Sequence, residues 1–324
     1  MPSKNLHDIE DNLFFIVGCG RSGTTLFRII LDAHPAIFVP PETFFFNQIA
    51  RGEFGAGSLS TDEKVSLLLN KWWVKDMKFD KEAMTALLNN ENESWKNIFL
   101  AFIASLSGDS GATTFGEKTP DHCEHAHTLL EVFPKCKIIF MVRDPRASFA
   151  SFRSSKIGTG QISSFVKTWS LAAIKEQSLR SNPRCMRVQY ENLVTNTEHV
   201  MQDVCSFLGL TFEVSMMNYH DRKDPDYSPE QKHHKNTLKP IFTSGLNKWK
   251  SALSKNQIAL LEHCLGKQMA TLGYELEGCK ISWPKTRLFF SMFKDKLMRA
   301  FILKPRQFFR KKRASARQRK SAIH

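Results

Sequence analysis

Residues 18–35 read GCGRSGTTLFRIILDAHP, and the run that leads into them, LFFIVGC (13–19), is short, apolar and rich in β-favouring residues. From Thr24 to Ala33 apolar side chains recur at helical spacing, at Leu26, Ile29, Ile30 and Ala33. Strand, glycine-rich turn and helix in succession form the setting in which a loop binds phosphate, because consecutive backbone N–H groups and the positive end of the helix dipole meet one anion. Gly18 and Gly23 frame the loop, Gly20, Arg21 and Ser22 lie inside it, and Thr24 and Thr25 add hydroxyls where the helix starts. A nucleotide triphosphatase places lysine directly after the second glycine. Here Thr24 holds that position, so a γ-phosphate and its Mg²⁺ are poorly served and a nucleotide with a single 5′-phosphate group is the better match.

Working outward, further apolar runs occur at AIFV (36–39), TTFGE (113–117), KIIFMV (137–142) and RVQY (187–190). Helical patterns at 121–133, 145–154 and 161–180 separate them. The alternation predicts an α/β fold with a phosphate loop and a mostly parallel sheet flanked by helices, in which ligands gather at the carboxyl ends of the strands. A long polar and helical insertion, about 45–110, reads as a helical cap over the site, and helical patterns resume after 191.

Composition supports one large domain: the chain has 324 residues, 42% of them hydrophobic and 24% charged, enough for a full-sized core. The net charge of +14 is unevenly placed, since 285–324 holds fourteen Lys and Arg against one acid, leaving only +1 for 1–284. A domain over 1–284 and a basic amphipathic tail over 285–324 are therefore expected. The seven cysteines are scattered, with no CxxC pair and no zinc-like spacing, which points to a reducing compartment. MPSKNLHDIEDNLFF carries acids where a signal peptide is basic, and no stretch approaches the ~20 apolar residues of a membrane span. The expectation is a cytoplasmic protein that its tail can hold at a membrane surface.

The loop GCGRSGTTLFRIILDAHP resembles the 5′-phosphosulfate loop of sulfotransferases that use 3′-phosphoadenosine 5′-phosphosulfate (PAPS), and its RSGTTL…LDAHP form is most similar to the tyrosylprotein and bacterial branches. A second motif, IIFMVRDPRASFASF (138–152), is similar to the family's 3′-phosphate site, with Arg143 at a strand end and Ser151 eight residues on. GEKTP (116–120), VQYENLV (188–194) and LKPIFTSGLNKWK (238–250) extend the resemblance over about 13–275. It implies PAPS as co-substrate, an acceptor hydroxyl on a carbohydrate, peptide tyrosine, lipid or small alcohol, and no metal. Under it the loop takes the 5′-phosphate, while Arg143 and Ser151 take the 3′-phosphate, for which a guanidinium fork is well suited. Tyr190 and Lys248 match further cofactor contacts, and Trp249 a recurring tryptophan. One departure stands out: the tyrosylprotein branch has a second phosphate-binding arginine where this chain has Ser155, and Arg153 nearby points to another helix face.

Sulfuryl transfer needs a base for the acceptor hydroxyl and positive groups where charge develops on the moving group and the departing phosphate. Glu42, in VPPETFFF, matches the catalytic glutamate of the tyrosylprotein branch, and burial beside Phe44–Phe46 is expected to raise its pKa. The competing role for Glu42 is capping the helix that follows. Arg21 and Lys118 are the candidate charge stabilisers. The cytosolic branch uses a histidine shortly after its lysine, which makes His122 the second candidate base.

DHCEHAH (121–127) lacks the i, i+4 histidine pair of a helical metal site, and no metal is expected there. His233 and His234 are expected near solvent or acidic ligand groups. Two other functions compete: a phosphate-loop kinase, opposed by the missing lysine, and a polyanion binder acting through the tail. The near-neutral body weakens the second, and no nucleic-acid partner is expected. In the tail, Phe289, Phe293, Leu297 and Phe301 recur every four residues as an apolar stripe, suited either to an anionic membrane surface or to packing on the protein body.

Overall fold

The structure, a computed structural model, describes residues 5–52, 59–71, 73–74, 77–88, 94–155, 160–221 and 239–298; His233, His234 and Phe301 lie outside them. The chain divides into two compact units, one of 1–143 with 172–243 and the other of 144–171 with 244–324.

The first unit holds a five-stranded sheet: β1 (Leu13–Gly18), β2 (Ile37–Phe38), β3 (Thr114–Lys118), β4 (Lys137–Val142) and β5 (Cys185–Gln189). Their order is β2-β3-β1-β4-β5, and every pairing is parallel. All of β1 and β3 is buried; β1 is continuously apolar, as helices on both faces require, whereas β3 carries Glu117 and Lys118 inside. Because side chains alternate across a sheet, β1 splits its phenylalanines. Phe14 and Ile16 join Phe27, Ile30 and Leu31 of α2 (Thr24–Asp32) and Met201, Val204 and Cys205 of α11 (Thr197–Leu208). Phe15 faces the other way, onto Phe46, Phe99 and Phe133 at ring separations of 5.7–6.1 Å.

The 45–110 region contains α3 (Phe45–Ala50), α4 (Thr61–Leu69), α5 (Lys81–Leu88) and α6 (Trp95–Ser107), and α4 opens on a capping box between Ser60 and Glu63. From Ile98 to Ile103 α6 is apolar on every side and wholly buried, so it belongs to the core beside β1. The remaining helices of this unit are α1 (Leu6–Asp11), α7 (Ala126–Val132), the C-terminal part of α9 (Ile162–Leu179) and α10 (Tyr190–Thr195).

What positions a site is the sheet's carboxyl edge. The chain runs from β1 to β2 on one side of the sheet and later to β4 and β5 on the other, so the ends of β1 and β4 lie at the topological switch point. Gly18 pairs with Met141 there, and Ile16 with Lys118.

In the second unit α8 (Pro145–Ser154) is capped by Asp144, with proline at its first turn. Arg146 is buried in a charge-assisted cluster: it donates to both Asp144 oxygens, to Glu262 at 2.7 Å and to the Glu275 carbonyl at 2.9 Å. Its guanidinium also lies 4.2 Å from the centre of the Trp249 ring. These bonds tie α8 to α12 (Trp249–Ala252) and α13 (Lys255–Thr271), the latter opened by a Ser254–Gln257 capping box. Trp249 thus acts as a core support for Arg146. The last described helix is α14 (Pro284–Met298).

Candidate active site

The loop after β1 takes the form that its glycines permit. Gly23 has φ 92°, and a Cβ there would drive into the Tyr190 ring. Gly18 has φ 150°, and a Cβ there would meet the Met141 carbonyl of the adjacent strand. Arg21 holds φ 72°, a left-handed conformation that costs a non-glycine residue ~1 kcal/mol or more and gathers at functional sites. Ser22 is fully buried, and its Oγ has no hydrogen-bond partner among the described residues. Such a hydroxyl in the middle of a phosphate-type loop fits a ligand oxygen. Thr24 and Thr25 begin α2, as the sequence requires.

Arg143 directly follows β4 and crosses to this loop, where its Nη1 donates to the Arg21 carbonyl at 3.3 Å. Its guanidinium sits 4.1 Å from the centre of the Tyr190 ring, a cation–π contact that fixes its plane. Burial depresses the Arg21 side chain below the ordinary arginine value, and the neighbouring Arg143 charge depresses it further, with Glu42 opposing both. Two guanidinium groups brought together beside an anion-binding loop are arranged for a ligand with more than one negative group.

Glu42 and Lys118 meet at 2.5 Å, with side-chain exposures of 32% and 4%. The expectation that Glu42 is enclosed by Phe44–Phe46 is not met. Phe45 turns into the core against Phe99, while the Glu42 carboxylate keeps open surface and takes an ammonium partner. Nor does it cap α3, whose N-cap is Phe44 without a side-chain bond.

A family model described as "Sulfotransferase family" matches residues 14–214. The chain belongs to the sulfotransferase family. It is 28% identical to a protein-tyrosine sulfotransferase of Drosophila melanogaster over 280 residues, which cover 82% of this chain but only 52% of that protein, about half its length. It is 27% identical to protein-tyrosine sulfotransferase A of Caenorhabditis elegans over 273 residues, 81% of this chain and 67% of that one. The solved sulfotransferase domain of the Synechococcus PCC 7002 olefin synthase superposes with a TM-score of 0.59 at 21% identity, over 82% of this chain and 95% of that domain, and shares the fold. Sulfuryl transfer is the class of reaction that this membership carries.

In this sulfotransferase the Glu42 and Lys118 segments are joined behind the pair by a residue that sequence reasoning passed over. Glu117 is fully buried in β3. Its Oε1 accepts from the Thr43 hydroxyl at 2.8 Å and the Thr119 hydroxyl at 2.6 Å, and its Oε2 faces His122 Nδ1 at 2.8 Å. The Phe44 N–H donates to Thr119 Oγ1 at 3.2 Å, closing the lattice. Burial works to raise the Glu117 carboxyl, but the His122 charge and the hydrogen bonds from His122, Thr119 and Thr43 prevail and hold it below the ordinary glutamate value. Beside Glu42, Asp121 is pushed up, by the protein crowded around its carboxyl and then by the Glu42 and Glu124 charges, although the residue keeps exposed surface.

His122 is therefore placed inside the structure. It is fully buried, with Nδ1 turned to Glu117, its ring edge-on to Phe46 at 5.3 Å, and Nε2 without a partner among the described residues. The His122 and His125 rings lie 6.5 Å apart while His127 faces Lys175 and Ser178, and among the described residues no three His, Cys, Asp or Glu side chains converge as metal ligands would. Arg21, Ser22, Gly23, Thr24, Glu42, Lys118, His122, Arg143 and Tyr190 all stand in the first unit at the sheet's carboxyl edge or the loops beside it. Ser151 on α8 and Lys248, the N-cap of α12, belong to the second unit.

Proposed function

We propose that this sulfotransferase takes PAPS as donor and a peptide tyrosine hydroxyl as acceptor, the acceptor class being suggested by its protein-tyrosine sulfotransferase relatives. The observation that carries the donor assignment is the meeting of Arg21 and Arg143 at the phosphate loop, with the buried Ser22 hydroxyl between the glycines. The loop N–H groups with Ser22, Thr24 and Thr25 hold the 5′-phosphate, and Arg143, braced on Tyr190, holds the 3′-phosphate. Bound there, the donor supplies the sulfuryl group, whose bond to phosphate oxygen breaks as the bond to the acceptor oxygen forms.

Glu42 takes the acceptor proton. Its carboxylate has open surface and is held by Lys118, whereas His122 is enclosed and committed to Glu117. Lys118 holds Glu42 in place at rest, and Arg21 and Lys118 meet the negative charge that develops on the sulfuryl oxygens and the departing phosphate.

The donor assignment is tested by melting temperature. 3′,5′-ADP should stabilise the protein well beyond 5′-ADP, and Arg143→Ala should erase the difference, because one charge-assisted contact of ~1.5–3 kcal/mol is lost. Equal stabilisation by the two nucleotides would refute it. With Thr24 in the position of the triphosphatase lysine, transfer should continue in EDTA at an unchanged rate, and strict dependence on Mg²⁺ would instead indicate phosphoryl transfer.

A further inference from the structure

α14 packs on the second unit through one face only. Ser291 is buried there; its Oγ accepts from the Ser163 N–H at 3.1 Å and bonds the Ser163 hydroxyl at 3.1 Å. Pro284, Leu288, Asp295 and Met298 share that face at helical spacing and are half-buried. The opposite face is the apolar stripe, and it is open: Phe289 is 64% exposed, Phe293 53% and Leu297 40%, with Phe290 and Met292 exposed beside them. Within the second unit, Phe289, Phe293 and Leu297 of the stripe stand away from the packed face. The helix docks by a different face.

At about 100° per residue, Lys285 and Lys296 fall along one edge of the stripe and Arg287 and Lys294 along the other. Asp295, the one acid of the helix, lies on the inward face. On the Arg287 and Lys294 edge opens a cavity of about 390 Å³, to which Arg153 adds a third cation, with Phe149, Leu260 and Phe290 as apolar walls and no acid in its lining. Beyond α14, residues 299–324 add ten Lys and Arg and no acid.

An apolar stripe bordered on both edges by cations meets its complement at a bilayer whose headgroups are negative and whose acyl boundary lies just beneath. A second copy of this chain brings the same cations against themselves, so self-association sets like charges edge to edge. We propose that α14 lies in the interface of an anionic membrane, with Phe289, Phe293 and Leu297 in the acyl boundary and the Arg153, Arg287 and Lys294 cavity against phosphate headgroups. This docking is independent of the sulfuryl-transfer assignment.

Flotation of the full chain with vesicles tests it. At low salt the protein should float with phosphatidylcholine–phosphatidylglycerol vesicles and not with phosphatidylcholine alone, and high salt should weaken the binding. Phe289→Ser, Phe293→Ser and Leu297→Ser together should abolish flotation while leaving the melting temperature unchanged. Arg287→Gln with Lys294→Gln should lower partitioning roughly 20–30-fold. Three results overturn the proposal. One is a wild type that stays unbound at low salt. Another is a triple variant that floats as the wild type does, which leaves the basic residues alone responsible. The third is a triple variant that melts earlier or loses a wild-type dimer seen by sedimentation, which shows that protein covers the stripe.

Discussion

Glu42→Gln should retain donor affinity and lose turnover about 10²–10⁴-fold, the contribution of a positioned general base. The substitution keeps the shape of the side chain and removes its ability to take a proton. It also removes the ionic partner of Lys118, whose ammonium is 4% exposed and pairs with Glu42 at 2.5 Å. Two effects are thus combined, and Lys118→Ala separates them. That variant keeps the carboxylate but loses its anchor and the proposed charge stabiliser, so its rate should fall as well, while 3′,5′-ADP binding, assigned above to the loop and Arg143, should remain. A charge-neutral Glu42 variant with undiminished turnover at saturating acceptor would show that the proton leaves by another route.

Much of this arrangement is legible in the sequence where the cause is local. The apolar runs of β1 and β4 read directly as buried parallel strands, and Gly18 and Gly23 mark a turn that only glycines can make. Arg143 follows β4 immediately, so strand recognition alone sets it at the sheet's carboxyl edge. Effects that depend on distant residues are hidden. The need for glycine at 23 is enforced by the Tyr190 ring, which pattern reading treated only as a donor contact. Phe44–Phe46 look like an apolar surround for Glu42, yet a left-handed turn at Phe44 starts a helix that carries Phe45 away into the core. The role of Glu117 inside its strand is hidden in the same way, because its partner Thr43 lies 74 residues earlier. In α14 the stripe is plain in the sequence, but which face packs is decided by Ser163, 128 residues away from Ser291.

Glu117→Gln should therefore destabilise the protein strongly. The carboxylate serves Thr43, Thr119 and His122 at once through both oxygens, and an amide offers one acceptor oxygen where two were used and carries no charge. Breaking one member of a buried ionic network costs about 3–5 kcal/mol, which for a domain of this size lowers the melting temperature by roughly 6–10 °C. Because residue 43 follows Glu42 and residue 117 precedes Lys118, the same change loosens the pair in front, so turnover should fall while 3′,5′-ADP binding at the separate phosphate loop persists. The loss depends on pH in a defined sense. Glu117 is held below its ordinary value of 4.5, so its charged form contributes stability above that pH and loses it as the pH falls through the lower folded value. The difference in melting temperature between wild type and Glu117→Gln should accordingly shrink as the solution is made more acidic than about pH 4. A variant that melts with the wild type at pH 7 would show that Thr43, Thr119 and His122 hold the two segments together without the carboxylate.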